Sequence, residues 1–93
     1  MSRLLDKIRL AVQDDRFIVS NHADDRLRER KIKLWQITSE IGNAQLLKER
    51  PKDQPNPSVE VMQTLPDGTE VKVIWAWNAH VGGAKLVTVH FKW

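Results

Sequence analysis

Residues 59–77 read VEVMQTLPDGTEVKVIWAW, and this stretch decides the fold. Its first part, residues 59–65, is rich in β-branched and long apolar side chains, which favours a strand. Pro66-Asp67-Gly68-Thr69 is typical of a tight turn, because proline fixes its own φ and glycine tolerates a positive φ. From Glu70 to Trp77, alternate apolar residues share one face of a second strand: Val71, Val73, Trp75 and Trp77. The stretch therefore predicts a β-hairpin that buries one face.

The segments that flank this hairpin extend the predicted sheet. After a loop over residues 78–84, residues 85–93 form a last strand in which apolar and polar residues alternate. The set expected in the core is Val87, Val89, Phe91 and Trp93, and the set on the opposite face is Thr88, His90 and Lys92. Residues 51–58 contain three prolines and must form a loop, whereas residues 45–50 are compatible with an edge strand or a loop. Consecutive strands joined by short turns favour an antiparallel meander.

Helical periodicity marks the first half of the chain. Ser2 and Asn21 are the expected N-caps of the first and second helices, and Gly42-Asn43 ends the third. A short β-prone run over residues 17–20 precedes the second helix. The predicted helices span residues 3–14, 22–30 and 34–41. Helices that precede strands indicate an α+β domain, with N-terminal helices packed on a small antiparallel β-sheet.

Composition limits the class of protein. The 93 residues are the size of one domain. The chain contains no cysteine, which excludes disulfides, thiolate chemistry and Cys-ligated metal centres. No apolar run approaches the roughly 20 residues that a membrane span needs. Acidic residues also interrupt the N-terminal segment where a signal peptide would be apolar. We therefore expect a cytoplasmic domain that stays out of membranes, and we assign it no cofactor.

Basic residues are concentrated in one segment. The chain has 15 Lys and Arg residues against 12 Asp and Glu, and five of the basic residues lie within residues 26–33. Such a concentration attracts phosphate, which makes Arg28, Lys31 and Lys33 candidate nucleic-acid contacts. Trp35 lies off the apolar stripe of the third helix and is a candidate for stacking on an unpaired base. A solvated helix face is the alternative interpretation.

Three residues of the second helix form a candidate catalytic group. His22, Arg26 and Arg30 recur at four-residue spacing, so they line one side of the helix. Guanidinium groups bind phosphate in a bidentate manner, and imidazole changes protonation near neutral pH. Metal-free RNA cleavage needs such groups to move the protons of the ribose 2′-hydroxyl and the leaving 5′-oxygen, and to stabilise charge at phosphorus. The structural alternatives are an imidazole that binds a backbone group and arginines that pair with Asp25, Glu29 or a carboxylate of the sheet.

The same segment carries a family resemblance. The pattern S-x-H-A-x-x-R-x-x-E-R-x-I, followed by a short helix, a proline-rich loop and a final T-V-x strand, resembles DUF4258, a bacterial family of domains of unknown function. The matching residues are Ser20, His22, Ala23, Arg26, Glu29, Arg30, Ile32, Pro55-Asn56-Pro57 and Thr88-Val89-His90. The resemblance covers residues 17–93 of a single domain, residues 1–93, and leaves residues 1–15 as an N-terminal helical extension.

The resemblance implies a relation to the RelE-like toxin nucleases of toxin–antitoxin pairs, whose fold sets N-terminal helices against a small antiparallel sheet. It further implies a metal-independent, RNA-cleaving toxin-like protein of a toxin–antitoxin or mobile-element system. RNA and a cognate antitoxin protein are the implied partners. A non-catalytic binding module of the same fold is the alternative function, and monomer and homodimer both stay open.

Two residues depart from the family pattern. The family usually has glycine directly after the second arginine, where this chain has Lys31. That lysine must adopt a left-handed backbone conformation, at a cost of roughly 1 kcal/mol. The family also has a serine that caps the next helix, where this chain has Lys33, whose side chain has no acceptor for such a cap.

Other polar residues of the last strand are candidates to complete the site. Thr88 and His90 lie two residues apart on one strand face, where they are possible auxiliaries to His22. An ordinary solvated face is the alternative. His80, in the loop over residues 78–84, is expected to be exposed. Three histidines without cysteine or a His-x-x-x-His pair give no pattern typical of a metal site.

Overall fold

The computed structural model describes residues 2–91. In these residues no helix is long and apolar enough to cross a membrane. The α+β class is confirmed. The helices are α1 (Arg3–Gln13), α2 (Asn21–Glu29), α3 (Leu34–Thr38) and a 3-10 turn (Ile41–Asn43); the strands are β1 (Phe17–Val19), β2 (Gln45–Arg50), β3 (Ser58–Thr64), β4 (Glu70–Asn78) and β5 (Gly83–Phe91).

The five strands form one mixed sheet in the order β1-β5-β4-β3-β2. Strands β2 to β5 make the antiparallel meander that the short connections between consecutive strands favour, and residues 45–50 are its edge strand. Strand β1 pairs in parallel with β5, so the prediction of a purely antiparallel sheet is wrong. Parallel partners need a long crossover connection, and here most of the chain lies between the two strands.

The core lies between the helices and one side of the sheet, which we call the helix-covered face. Ile8 of α1, Ile37 and the ring of Trp75 on β4 are fully buried there. Trp77, on the same face, is half-buried, with the Lys7 ammonium 4.3 Å from its ring centroid. We call the other side of the sheet the open face. The predicted core face of β4 is thus confirmed.

One polar side chain lies inside this core. Gln63 of β3 is 1% exposed. Its Oε1 accepts a hydrogen bond from Trp75 Nε1 at 3.0 Å, and its Nε2 donates to the Ile37 carbonyl at 2.8 Å. The amide therefore joins β3, β4 and α3, and it satisfies two polar groups that burial would otherwise leave unpaired.

The ladder between β4 and β5 shifts at Val87. Leu86 before it and Val89 after it both face the core, whereas Val87 lines a cavity on the open face. An inserted residue reverses the alternation of a strand. The predicted core position of Val87 is therefore wrong, and that of Val89 is confirmed. Trp93, which we also expected in the core, and Lys92 lie outside the described residues.

The caps of the first two helices follow the predicted chemistry, with one correction. Ser2 caps α1, because its Oγ accepts a hydrogen bond from the Leu5 amide at 3.0 Å. Helix α2 is capped by Ser20, whose Oγ accepts from the Ala23 amide at 2.9 Å. The prediction of Asn21 as the cap is wrong, because Asn21 is already the first helical residue.

Candidate nucleic-acid interface

Helix α2 runs alongside residues 86–91 of β5. At its start, the Ser20 amide donates to the Leu86 carbonyl at 3.0 Å, and the Ser20 hydroxyl donates to the Val87 carbonyl at 2.9 Å. At its end, the Arg30 guanidinium carbon lies 4.7 Å from the ring centroid of Phe91. These contacts at both ends fix the orientation of α2 against the sheet, so its polar side chains have defined positions.

His22 is exposed in the first turn of α2. Among residues 2–91 its imidazole has no hydrogen-bond or ion-pair partner. The ring is therefore accessible to solvent and to a ligand. The alternative role, a hydrogen bond to the backbone of a neighbouring segment, is not seen in the part of the chain that the structure describes.

Arg26 lies one helical turn from His22 and is engaged by an acid. Its Nη1 lies 2.8 Å from Glu29 Oε1, and the two side chains are 40% and 56% exposed. The pairing with Glu29 that we gave as the structural alternative is thus present. An exposed ion pair of this kind contributes only about 0.2–1 kcal/mol, so a phosphate group can displace the carboxylate at little cost.

Arg30 is held differently. Its guanidinium stacks on Phe91, and its Nε is buried without a hydrogen-bond partner in the described structure. His22 and Arg30 are separated by about 12 Å along the helix axis, since each residue adds about 1.5 Å. His22 and Arg26 are therefore neighbours on the border of α2, whereas Arg30 lies in a separate hollow beside Lys31, Asp67 and Thr69.

The other predicted nucleic-acid contacts converge on the end of α2. Arg28, Lys31 and Lys33 line a shallow hollow of about 530 Å³, where Arg28 pairs with Asp24 at 2.9 Å. The neighbouring hollow of about 300 Å³ contains Arg30 and again Lys31. We call Arg28, Arg30, Lys31 and Lys33 the basic surface. Because Lys31 lines both hollows, the four cations form one continuous surface.

Trp35 follows the basic surface along the chain, and Asp67 lines one of its two hollows. Trp35 is 60% exposed, as its position off the apolar stripe predicts. Asp67 lines the hollow that holds Arg30, and its carboxylate accepts a hydrogen bond from the Thr69 amide at 2.9 Å. This bond lowers the pKa of the Asp67 carboxyl below its ordinary value, so the group stays negative at neutral pH. The carboxylate therefore partly offsets the positive charge of that hollow.

Thr88 and His90 do not join His22. Thr88 pairs with Ile74 and His90 pairs with Lys72, which places both side chains on the open face. Helix α2 packs on the helix-covered face through Ala23 and Leu27, so it belongs to the side of the sheet opposite to these two residues. His80 is exposed, as predicted. In residues 2–91, no three His, Asp or Glu side chains come together as a possible metal site.

The turn between α2 and α3 shows both departures from the family pattern. Lys31 has a φ of 57°, the left-handed conformation that we expected at this position. Lys33 is the N-cap residue of α3, and its side chain makes no capping bond. Gln36 supplies a partner from inside the helix, because its Oε1 accepts from the Lys33 amide at 2.8 Å. Helix α3 ends at Thr38, earlier than the predicted residue 41.

The strain at Lys31 gives a prediction. Lys31→Gly is expected to raise the free energy of unfolding by about 0.5–1 kcal/mol, because relief of the left-handed strain exceeds the added chain entropy. Urea denaturation followed by tryptophan fluorescence measures the change. Lys31→Ala is the matched control, since it removes the ammonium and keeps the strain. An equal gain from both variants would show that charge repulsion, rather than backbone strain, is what the substitution relieves.

Two partners of the basic surface were not identified in the sequence. The alternation of the last strand predicts Phe91 in the core, and the structure packs it there half-buried, with the Arg30 guanidinium over its ring as the unpredicted contact. For Asp67 the sequence predicts only a turn. Both residues lie more than 30 positions along the chain from α2, and the local pattern of α2 does not predict either of them.

Comparison with known proteins shows which family the chain belongs to. Neither a curated protein nor a solved structure is significantly similar to the chain. One family model, described as Domain of unknown function (DUF4258), matches residues 19–91. The match contains α2, the basic surface and strands β2 to β5, whereas α1 lies outside it and still contributes Ile8 and Val12 to the core. The chain therefore belongs to the DUF4258 family, a family of unknown function.

Proposed function

We propose that this protein is a metal-independent, RNA-cleaving, toxin-like protein whose cleavage site is the border between α2 and β5. One observation carries the proposal: the exposed imidazole of His22 has no partner in the described structure and lies one turn from Arg26. The helix that carries both residues ends in the basic surface, which supplies the positive charge that an RNA backbone needs.

The chemistry uses His22 and Arg26 together. The His22 imidazole takes the proton of a ribose 2′-hydroxyl, and the resulting oxyanion attacks the adjacent phosphorus. Arg26 exchanges Glu29 for the phosphate and stabilises its added negative charge through two N–H donors. The P–O5′ bond breaks, the leaving 5′-oxygen takes a proton from solvent, and the products carry a 2′,3′-cyclic phosphate and a 5′-hydroxyl.

The basic surface holds the strand beyond the reacting phosphate. Lys31 and Lys33 have no ion pair among residues 2–91, so they bind phosphate without first giving up an acid. Trp35, exposed and two residues after Lys33 in the sequence, is available to stack on an unpaired base. This arrangement favours single-stranded RNA, because only an unpaired base is free to stack.

Cleavage in the absence of metal ions tests the proposal. The purified full chain is incubated with 5′-labelled single-stranded RNA in excess EDTA, and we expect fragments that end in a 2′,3′-cyclic phosphate. A substrate with a single 2′-deoxy nucleotide at the cleaved position is the matched control and should stay intact. Induced expression of the chain should also arrest bacterial growth. If both the RNA and its 2′-deoxy control stay intact, the proposed nuclease activity is refuted.

A second candidate is a non-catalytic RNA-binding module, favoured by the engagement of Arg26 with Glu29 and of Arg30 with Phe91. In that case the same RNA is bound but never cut, and expression has no cost to growth. One gel that separates intact from cleaved RNA therefore distinguishes the two functions. The toxin-like function further implies a cytoplasmic location and a cognate antitoxin, for which a short reading frame next to this gene is the place to look.

A further inference from the structure

The open face carries a cavity that has no part in the proposed RNA site. It measures about 290 Å³ and lies beneath the proline-rich loop between β2 and β3. Its floor is apolar and is formed by Ile74, Ala76 and Val87. The shift of the β4–β5 ladder places Val87 on this face, so the bulge itself completes the floor.

The loop over the cavity is fixed at both ends. The Asp53 amide donates to the Arg50 carbonyl at 3.3 Å, and Asp53 Oδ2 accepts from the Ser58 hydroxyl at 2.8 Å. The Trp77 amide donates to the Pro57 carbonyl at 2.9 Å, which anchors the loop to the end of β4. A cavity under such a loop is formed before any ligand arrives, and a preformed site loses little conformational entropy on binding.

The charged side chains around the cavity differ in whether they have a hydrogen-bond or ion-pair partner. Arg50 lies 3.3 Å from Glu60, and Asp53 is bonded to Ser58. Lys85 is half-buried at the cavity, and its ammonium has no hydrogen-bond or ion-pair partner among residues 2–91. The cavity thus joins an apolar floor to Lys85, which has no counter-ion, and to Asp53, whose only side-chain partner among the described residues is the neutral Ser58 hydroxyl. A ligand with an apolar body and one negative group fits this lining when its charge lies at the Lys85 side of the cavity, away from Asp53.

We propose that this cavity binds a small organic anion built from a single flat apolar ring and one carboxylate or phosphate group. The ring lies on the floor of Ile74, Ala76 and Val87, and the anionic group pairs with Lys85. The volume is close to the lower end of the roughly 300–1,000 Å³ typical of ligand sites, which is enough room for one ring that carries one anionic group. The site does not depend on the RNA-cleaving function, because it lies on the opposite face of the sheet.

Titration of the isotope-labelled full chain by NMR tests this site with four probes. Benzoate and phenyl phosphate carry both the ring and the charge, benzamide carries the ring alone, and inorganic phosphate carries the charge alone. We expect the first two to shift the amide signals of residues 74–76 and 85–87. The last two should bind at least about tenfold more weakly, since a charge-assisted bond and ring burial each contribute that much.

A pair of lysine variants separates the cavity from general attraction of anions. Lys85→Gln should weaken benzoate binding by at least about tenfold. Lys72→Gln, at another half-buried lysine of the open face, should leave binding unchanged and serves as the matched control. The proposal is overturned if benzamide binds as well as benzoate, if Lys85→Gln has no effect, or if the shifts appear at the basic surface instead. An unchanged spectrum at millimolar benzoate overturns it as well.

Discussion

Replacing Gln63 by alanine is expected to lower the free energy of unfolding by about 3–5 kcal/mol. The side chain is almost completely buried and makes two hydrogen bonds, one with Trp75 Nε1 and one with the Ile37 carbonyl. Its removal leaves both groups buried without a partner, at about 1–3 kcal/mol each, and opens a cavity as well. Because domains of this size have a total stability of about 5–15 kcal/mol, a large share of the stability is lost.

Urea denaturation with far-UV circular dichroism measures this effect. Gln63→Met separates its two causes, because methionine fills most of the volume and restores neither hydrogen bond. We expect Gln63→Met to lose about 2–3 kcal/mol, somewhat less than the alanine variant. Gln45→Ala, at an exposed glutamine of the edge strand β2, is the matched control and should stay within about 0.5 kcal/mol of the parent. A loss at Gln63→Ala no larger than at Gln45→Ala would contradict the buried network.

The elements that the sequence predicts well are those with strong local patterns. Helix α1 shows its apolar stripe and its Ser2 cap within one segment. The β3–β4 hairpin shows its alternation and its Pro66–Thr69 turn. In these cases the side chains that decide the structure are neighbours along the chain. Local periodicity is then enough to predict both the element and its buried face.

The features that the sequence does not reveal depend on distant partners. Strand β1 is only three residues long, and its parallel pairing is set by β5, far along the chain. The bulge at Val87 depends on the register against β4, which no pattern within β5 records. Gln63 interrupts the apolar alternation of β3, and the positions of Trp75 and of the Ile37 carbonyl explain why it is buried.

The candidate site divides in the same way. Four-residue spacing places His22 and Arg26 one turn apart on α2, as helix geometry requires, whereas Arg30 is the C-cap of this helix and lies in a separate hollow. The spacing does not reveal which of the three side chains has no partner in the folded protein. That depends on Glu29 for one arginine and on Phe91 for the other. The separation of Thr88 and His90 from His22 likewise follows from which face of the sheet the helix covers.

The substitution His22→Ala is expected to lower the RNA cleavage rate by about 10²–10⁴-fold, the usual effect of losing a general base. RNA affinity should change by less than about twofold, because the basic surface that binds the backbone is intact. Stability should stay within about 0.5 kcal/mol of the parent, since the ring is exposed and has no partner among residues 2–91. Single-turnover cleavage and RNA titration measure the two quantities separately.

Two further substitutions make the result specific to His22. His80→Ala removes another exposed imidazole, in the loop after β4, and should keep the full cleavage rate. Glu29→Gln frees the Arg26 guanidinium from its ion pair and should raise RNA affinity by a few fold, since an exposed pair contributes only about 0.2–1 kcal/mol. If His22→Ala cleaves RNA as fast as the parent, His22 is not the general base, and tighter RNA binding by Glu29→Gln then leaves Arg26 with the role of a phosphate contact. The proton transfer is assigned to this helix only if the RNA cleavage rate falls in His22→Ala and is unchanged in His80→Ala.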